Sequence, residues 1–159
     1  MISTFYLIKS NILKPDVYYK IYITNDSCYF IKVGGQFHNR YAYEKQLPEV
    51  LELLFSFWFK RMQQKQKVYE EMCDNLIQDQ EVSSVLQKKD NFTLMHEEIR
   101  NVVLNKQGTF HTAFHDNGTV VFQLKSDQKL KFIIPRSISR ESIKTTIEQN
   151  QGLFSVEER

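Results

Sequence analysis

Residues 109–149 constrain this chain more than any other stretch. They read Thr-Phe-His-Thr-Ala-Phe-His, then Asp-Asn-Gly, then Thr-Val-Val-Phe-Gln-Leu, and after a polar break Lys-Leu-Lys-Phe-Ile-Ile and Pro135. Asn117-Gly118 between two apolar-rich runs is a strong hairpin signal. Both residues tolerate positive φ, and a primed turn matches the right-handed twist of the flanking strands. A two-residue period sets Phe110, Thr112 and Phe114 on one face and His111, Ala113 and His115 on the other. Lys125, Ser126, Asp127 and Gln128 form the next turn. Lys129 and Lys131 then alternate with Leu130 and Phe132, the pattern of a half-buried strand. Pro135 stops the run because it has no N–H for a ladder. Three short antiparallel strands are expected.

A helix should close the stretch. Ser139 suits the N-cap, and Glu141 suits the positive end of the helix dipole. Ile138 and Ile143 have the spacing of a hydrophobic staple. Ile143 and Ile147 lie one turn apart, so the buried stripe is narrow. Such a helix fits across one open end of a small sheet. Gly152 is the expected stop.

The N-terminal part predicts a hairpin. Residues 2–9 are apolar and read as a strand or a packed arm. Residues 17–24 and 27–33 are rich in Tyr, Ile, Val and Phe, which fill a pleated surface, with Asn25-Asp26 between them. Gly34-Gly35 ends the hairpin. It is no phosphate loop, since the spaced glycines and lysine of such loops are missing. Residues 36–46 read as a loop.

The middle changes character. Pro48 suits a first helical position. Val50, Leu51, Leu54, Phe55, Trp58 and Met62 follow helical spacing, and Leu53, Phe57 and Phe59 widen that face almost all round. A helix apolar on all sides is buried or shared with a partner. After polar residues 63–66, Val68, Tyr69, Met72, Cys73, Leu76 and Ile77 resume the period, giving two helices or one with a polar waist. Residues 81–90 read as a short helix or linker. Residues 92–95 and 101–106 read as strands, with His96-Glu97-Glu98 as a turn or helix start. One domain over 1–159 is expected, with a helical insertion at about 47–89.

With 159 residues and 42% hydrophobic content, the chain can build a packed core. Twenty-one Lys+Arg against 19 Asp+Glu leave a net charge of +2, less basic than a dedicated nucleic-acid binder. Cys28 and Cys73 make neither a metal-ligand pair nor a disulfide framework, which points to a reducing cytosol. The most apolar run, 50–59, is too short to span a bilayer, which needs about 20 apolar residues. No signal peptide is visible, and a soluble cytoplasmic protein is expected, with a peripheral membrane location as the variant.

Two short segments and the chain's ending carry a family resemblance. Tyr22-Ile23-Thr24-Asn25-Asp26-Ser27-Cys28-Tyr29-Phe30, Glu98-Ile99-Arg100-Asn101-Val102, and Lys131-Phe132-Ile133-Ile134-Pro135 before a capped helix occur in that order. Together they resemble the pleckstrin-homology (PH) superfold in its bacterial PH and GRAM-type branch. The resemblance covers both ends of the chain and leaves out 47–89. It implies an α+β fold, a PH-like antiparallel sheet or barrel with a C-terminal capping helix, and a non-catalytic module that binds lipids, peptides or partner domains. Lipid-binding members carry Lys and Arg around the first hairpin loop. Here that loop is Asn25-Asp26-Ser27, which argues against phosphoinositide recognition there.

Three constellations compete as sites. Phe55, Trp58, Phe59 and Met62 form a candidate face for a protein partner or a homodimer, against plain core packing. Lys125, Lys129, Lys131, Arg136 and Arg140 form a candidate patch for anionic lipid or nucleic-acid phosphates, against an ordinary solvated face. His111, His115 and Asp116 are the most metal-like cluster. On a strand, however, the two imidazoles stand roughly 13–14 Å apart, too far to share one ion. The expectation is a non-enzymatic binding module without cofactor or metal, docking a partner or itself through the inserted helices or a strand edge. Attraction to an anionic surface is the alternative, and a metal-dependent hydrolase the distant one.

Overall fold

The computed structural model describes residues 2–11, 14–35, 49–79, 81–150 and 155–159, with 49–59 described by backbone alone. Two antiparallel meanders form one open, mixed sheet. The first is β1 (Ser3–Lys9), β2 (Val17–Ile23), β3 (Ser27–Gly34) and β4 (Phe92–Met95). The second is β5 (Ile99–Asn105), β6 (Thr119–Leu124) and β7 (Lys129–Ile133). A last strand, β8 (Ser155–Glu158), pairs with β5 in parallel. The order across the eight strands is β4-β3-β2-β1-β7-β6-β5-β8. The two meanders meet where Ile8 of β1 faces Ile133 of β7.

Alternation explains the layers. In β2, Tyr19, Ile21 and Ile23 enter the main core, while Tyr18 and Tyr22 join a second cluster on the opposite face. In β3, Cys28 and Phe30 enter the main core, and Tyr29, Ile31 and Val33 face the second cluster. These strands are apolar on both faces because both faces are covered. Phe30 sits among Tyr19, Phe92, Phe122 and Phe132, with ring centroids 4.5–6.3 Å away. This range suits stacked and edge-on aromatic pairs.

The second face is covered by helices inserted between β3 and β4. Helix α1 (Glu49–Gln78) is one continuous helix of 30 residues, and α2 (Ser83–Leu86) follows it. The polar waist at 63–66 does not break α1, because Gln, Lys and Arg are good helix formers. Pro48 lies outside the described residues. The main core is closed by α3 (Arg140–Gln149). Ser139 caps it by accepting from the Ser142 amide at 3.0 Å, and Ile143 and Ile147 are its buried residues. Gly152 lies outside the described residues, as does 36–46.

One expectation fails. Residues 109–115 are not a strand. Phe110–Thr112 form a short 3-10 turn, and Ala113 and Phe114 follow in left-handed backbone at φ 51° and 64°. The reason is Asp116. Its carboxylate accepts from the Thr109 amide at 2.9 Å, from the Thr109 hydroxyl at 2.6 Å, from the Thr112 hydroxyl, and from the Gly118 amide at 2.8 Å. Those bonds give the backbone a local alternative to a ladder. The hairpin therefore joins β5 to β6 through a long loop, with Asn105 facing Thr119. Gly118 keeps the expected positive φ, at 95°.

Candidate functional site

The C-terminal third of α1 is anchored on the outer face of β1–β3. Tyr69, Cys73, Leu76 and Ile77 pack with Tyr6, Tyr18, Tyr22, Ile31 and Val33. A polar network lies within this junction. Lys20 Nζ donates to both Asp74 carboxylate oxygens, at 2.7 and 3.0 Å. The Tyr22 hydroxyl donates to Asp74 at 2.7 Å, and the Tyr6 hydroxyl donates to Glu70 at 2.8 Å. Lys20 also lies over the Tyr6 and Tyr22 rings, at 5.8 and 5.3 Å. Burial, and then the bond to Asp74, pushes the Tyr22 phenol well above its ordinary range. Burial likewise pushes Tyr18 up to about 12, with the Glu70 charge adding to it. Both phenols stay neutral at physiological pH.

Residues 60–65, 67 and 68 are exposed, including Met62 at 45% and Val68 at 66%. The apolar run 50–59 comes earlier still on the same helix. At 1.5 Å per residue the whole helix is about 45 Å long, and the part ahead of Tyr69 about 30 Å. Phe55, Trp58 and Phe59 thus lie on a segment well removed in sequence from the anchored residues. Met62 is the one member of that candidate face whose side chain is described, and it is exposed.

The basic residues do not form one patch. Lys125 and Lys129 flank the β6–β7 turn, where Arg100 pairs with Asp127 at 2.7 Å. Arg136 lies past the other end of β7, about 16 Å along the strand. Lys131 is exposed between them. Arg140 ties α3 to β8. It reaches Glu158 at 3.2 Å and Glu141 at 3.3 Å, and Lys144 reaches the same Glu158 at 3.3 Å. These two cations hold the Glu158 carboxyl below the usual carboxylate range.

The histidine cluster is also rearranged, since it sits on a loop. His111 Nε2 contacts Asp16 at 2.8 Å, His115 is exposed, and Asp116 is occupied by its own loop. Among the described residues, no three His, Cys, Asp or Glu side chains come together as metal ligands. No described helix is long and apolar enough to cross a membrane. The edge strands β4 and β8 have four residues each, and Glu157 and Glu158 charge the second. Short, charged edges resist strand addition.

Sequence reasoning missed the Tyr6–Lys20–Tyr22–Glu70–Asp74 network. A signal was there: Tyr18, Lys20 and Tyr22 share one strand face, and Glu70 and Asp74 lie one helical turn apart. The chain matches no protein-family model, no curated protein and no solved structure.

Proposed function

We propose that this protein is a small, non-enzymatic, cytoplasmic binding module. It docks a partner polypeptide, or a second copy of itself, through the N-terminal half of α1. The observation that carries this reading is the division of labour along the helix. The last turns are held by the Lys20–Asp74 and Tyr6–Glu70 contacts and by packed apolar side chains. Residues 60–68 bury none of their side chains, and the apolar run 50–59 lies beyond them. A helix anchored at its C-terminal end, with an apolar run in the sequence of its other end, suits helix-in-groove or helix–helix docking.

The PH-like resemblance supports a binding role. PH-like domains are mostly non-catalytic modules, and a chain that ends its sheet with a helix over the core offers such a scaffold. Two buried free thiols fit a reducing compartment.

Solution mass by light scattering tests the proposal on wild type and Trp58→Glu, with circular dichroism to check folding. A wild-type dimer that becomes a folded monomer supports docking through this segment. A wild-type monomer that unfolds on substitution makes the segment core and removes the reading.

A further inference from the structure

Phe110 is the most exposed large hydrophobic residue among those described, at 86%, and Phe114 is exposed at 60%. Their rings form an edge-on pair with centroids 6.2 Å apart. Such exposure on a loose loop would carry no message, but this loop is built. Phe114 itself takes left-handed backbone, which a bulky residue rarely adopts. Gly108 packs beneath it, so that an added Cβ would meet the Phe114 Cα at 3.3 Å. Asp116 holds Thr109, Thr112 and Gly118, and His111 pins the loop to Asp16 in the β1–β2 connector. The sequence could have left both phenylalanines in a strand. The fold instead holds them outward as a fixed pair.

Exposed cationic side chains border the loop. Lys106 and His115 are exposed in the same loop, Lys14 is exposed two residues before Asp16, and Arg136 is exposed where its carbonyl accepts from Asn117 Nδ2. The acids of this region turn to partners within it, Asp16 to His111, Asp116 to four neutral donors of the loop, and Glu158 to Arg140 and Lys144.

We propose that the 108–118 loop is a membrane-contact loop, which lays Phe110 and Phe114 into the headgroup–acyl boundary of an anionic lipid surface while Lys14, Lys106 and Arg136 meet the lipid phosphates and carboxylates. Area favours lipid over protein as the occupant. Two phenylalanines bury at most about 500 Å², short of the roughly 800 Å² per partner that a stable protein interface needs. A lipid surface requires no such area, because a few inserted apolar groups and a few cations suffice for reversible binding. This site lies at the opposite end of β2 from the β2–β3 turn.

Co-sedimentation of the full chain with vesicles decides the matter. One set is phosphatidylcholine alone, and the other contains about 30% phosphatidylserine. Wild type should partition onto the anionic set and lose that binding as salt rises. Phe110→Ser with Phe114→Ser should lower the partition coefficient about tenfold or more, with an unchanged circular dichroism spectrum. Lys14→Gln with Arg136→Gln should lower it several-fold. Lys89→Gln, at an exposed cation between α2 and β4, should leave it unchanged, which separates this loop from general attraction to the protein's basic residues. Absence of wild-type binding to the anionic vesicles would overturn the proposal. So would equal binding by the double Phe variant, an equal loss with Lys89→Gln, or capture of a protein partner by the loop without any vesicle binding.

Discussion

Lys20 and Asp74 face each other at 2.7 Å across the junction between β2 and α1, with the lysine side chain 9% exposed and the aspartate 35%. This pair fixes the helix to the sheet at one register. The apolar residues around it, Cys73 and Ile77 from the helix and Tyr22 and Ile31 from the sheet, supply area without direction. The charge pair and the Tyr22 hydroxyl supply direction. The presentation of the upstream helix therefore depends on a polar contact.

Asp74→Ala should cost about 3 kcal/mol, because it strands a buried ammonium and a buried hydroxyl. Asp74 is itself one-third exposed, which holds the cost at the low end for a broken buried pair. The triple replacement Lys20→Met, Tyr22→Phe, Asp74→Leu should lie within about 1 kcal/mol of wild type. Urea unfolding of the single and triple variants checks both. Equal losses in the two would mean that packing, not the pair, carries the junction.

Both thiols should be inert in the folded protein. Burial pushes the Cys28 thiol up to about 12. Burial also raises Cys73, against the lowering effect of its Tyr69 hydrogen bond and of Lys88 and Lys20. The thiolate is the reactive form, so a disulfide reagent at neutral pH should label neither until urea opens the chain. Rapid labelling of one thiol without denaturant would show that its cover opens locally.

His96 should make the fold sensitive to mild acid. Burial holds its imidazole below the ordinary 6.5, against the opposing pull of Asp26 and of the Ser27 and Asn25 backbone. The unfolded chain therefore takes up its proton first as pH falls. Stability is fully present above 6.5 and is lost from there down toward the lowered folded value. Asp26, Asp90 and Glu158 are also held low, but their ordinary values of 3.8, 3.8 and 4.5 put their losses at more acid pH. Tm should fall between about pH 7 and about pH 5 in wild type, and fall less in His96→Leu. Parallel slopes in the two proteins would take the effect away from His96.

How much of this could be read from residues alone follows from the range of each signal. The hairpin on either side of Asn25-Asp26, the Lys129–Phe132 alternation and the Ser139 cap are local patterns, and each appears where its neighbours place it. Strand β8 is not local. Its segment carries one partly buried Val156 among Ser155, Glu157 and Glu158 and is held by parallel pairing and by Asn101 donating to Glu157. Residues 109–115 had strand composition, and a single carboxylate at Asp116 overrode it. The Lys20–Asp74 contact spans 54 positions, and no periodicity reports such a distance. The apolar run of α1 was legible, because a helix apolar on all sides shows in any window.

Gly118 offers the sharpest test of the loop that holds Phe110 and Phe114. Its φ is 95°, and a Cβ placed there would lie 1.9 Å from the Asn105 carbonyl oxygen. That oxygen belongs to the last residue of β5, so it cannot move aside without loosening the β5–β6 pairing that begins at Thr119. Gly118→Ala should therefore cost about 3 kcal/mol or more, through both steric overlap and left-handed backbone. Gly35 is the control, since the nearest contact to an added Cβ is the Asp16 carbonyl oxygen at 3.6 Å, an ordinary separation. Gly35→Ala should be neutral or stabilise by about 0.5 kcal/mol, by reducing the freedom of the unfolded chain. Thermal unfolding of the two variants side by side checks the contrast. A Gly118→Ala protein as stable as wild type would mean that the β5–β6 loop can relax, and that the outward setting of the two phenylalanines is not fixed by the strands beneath it.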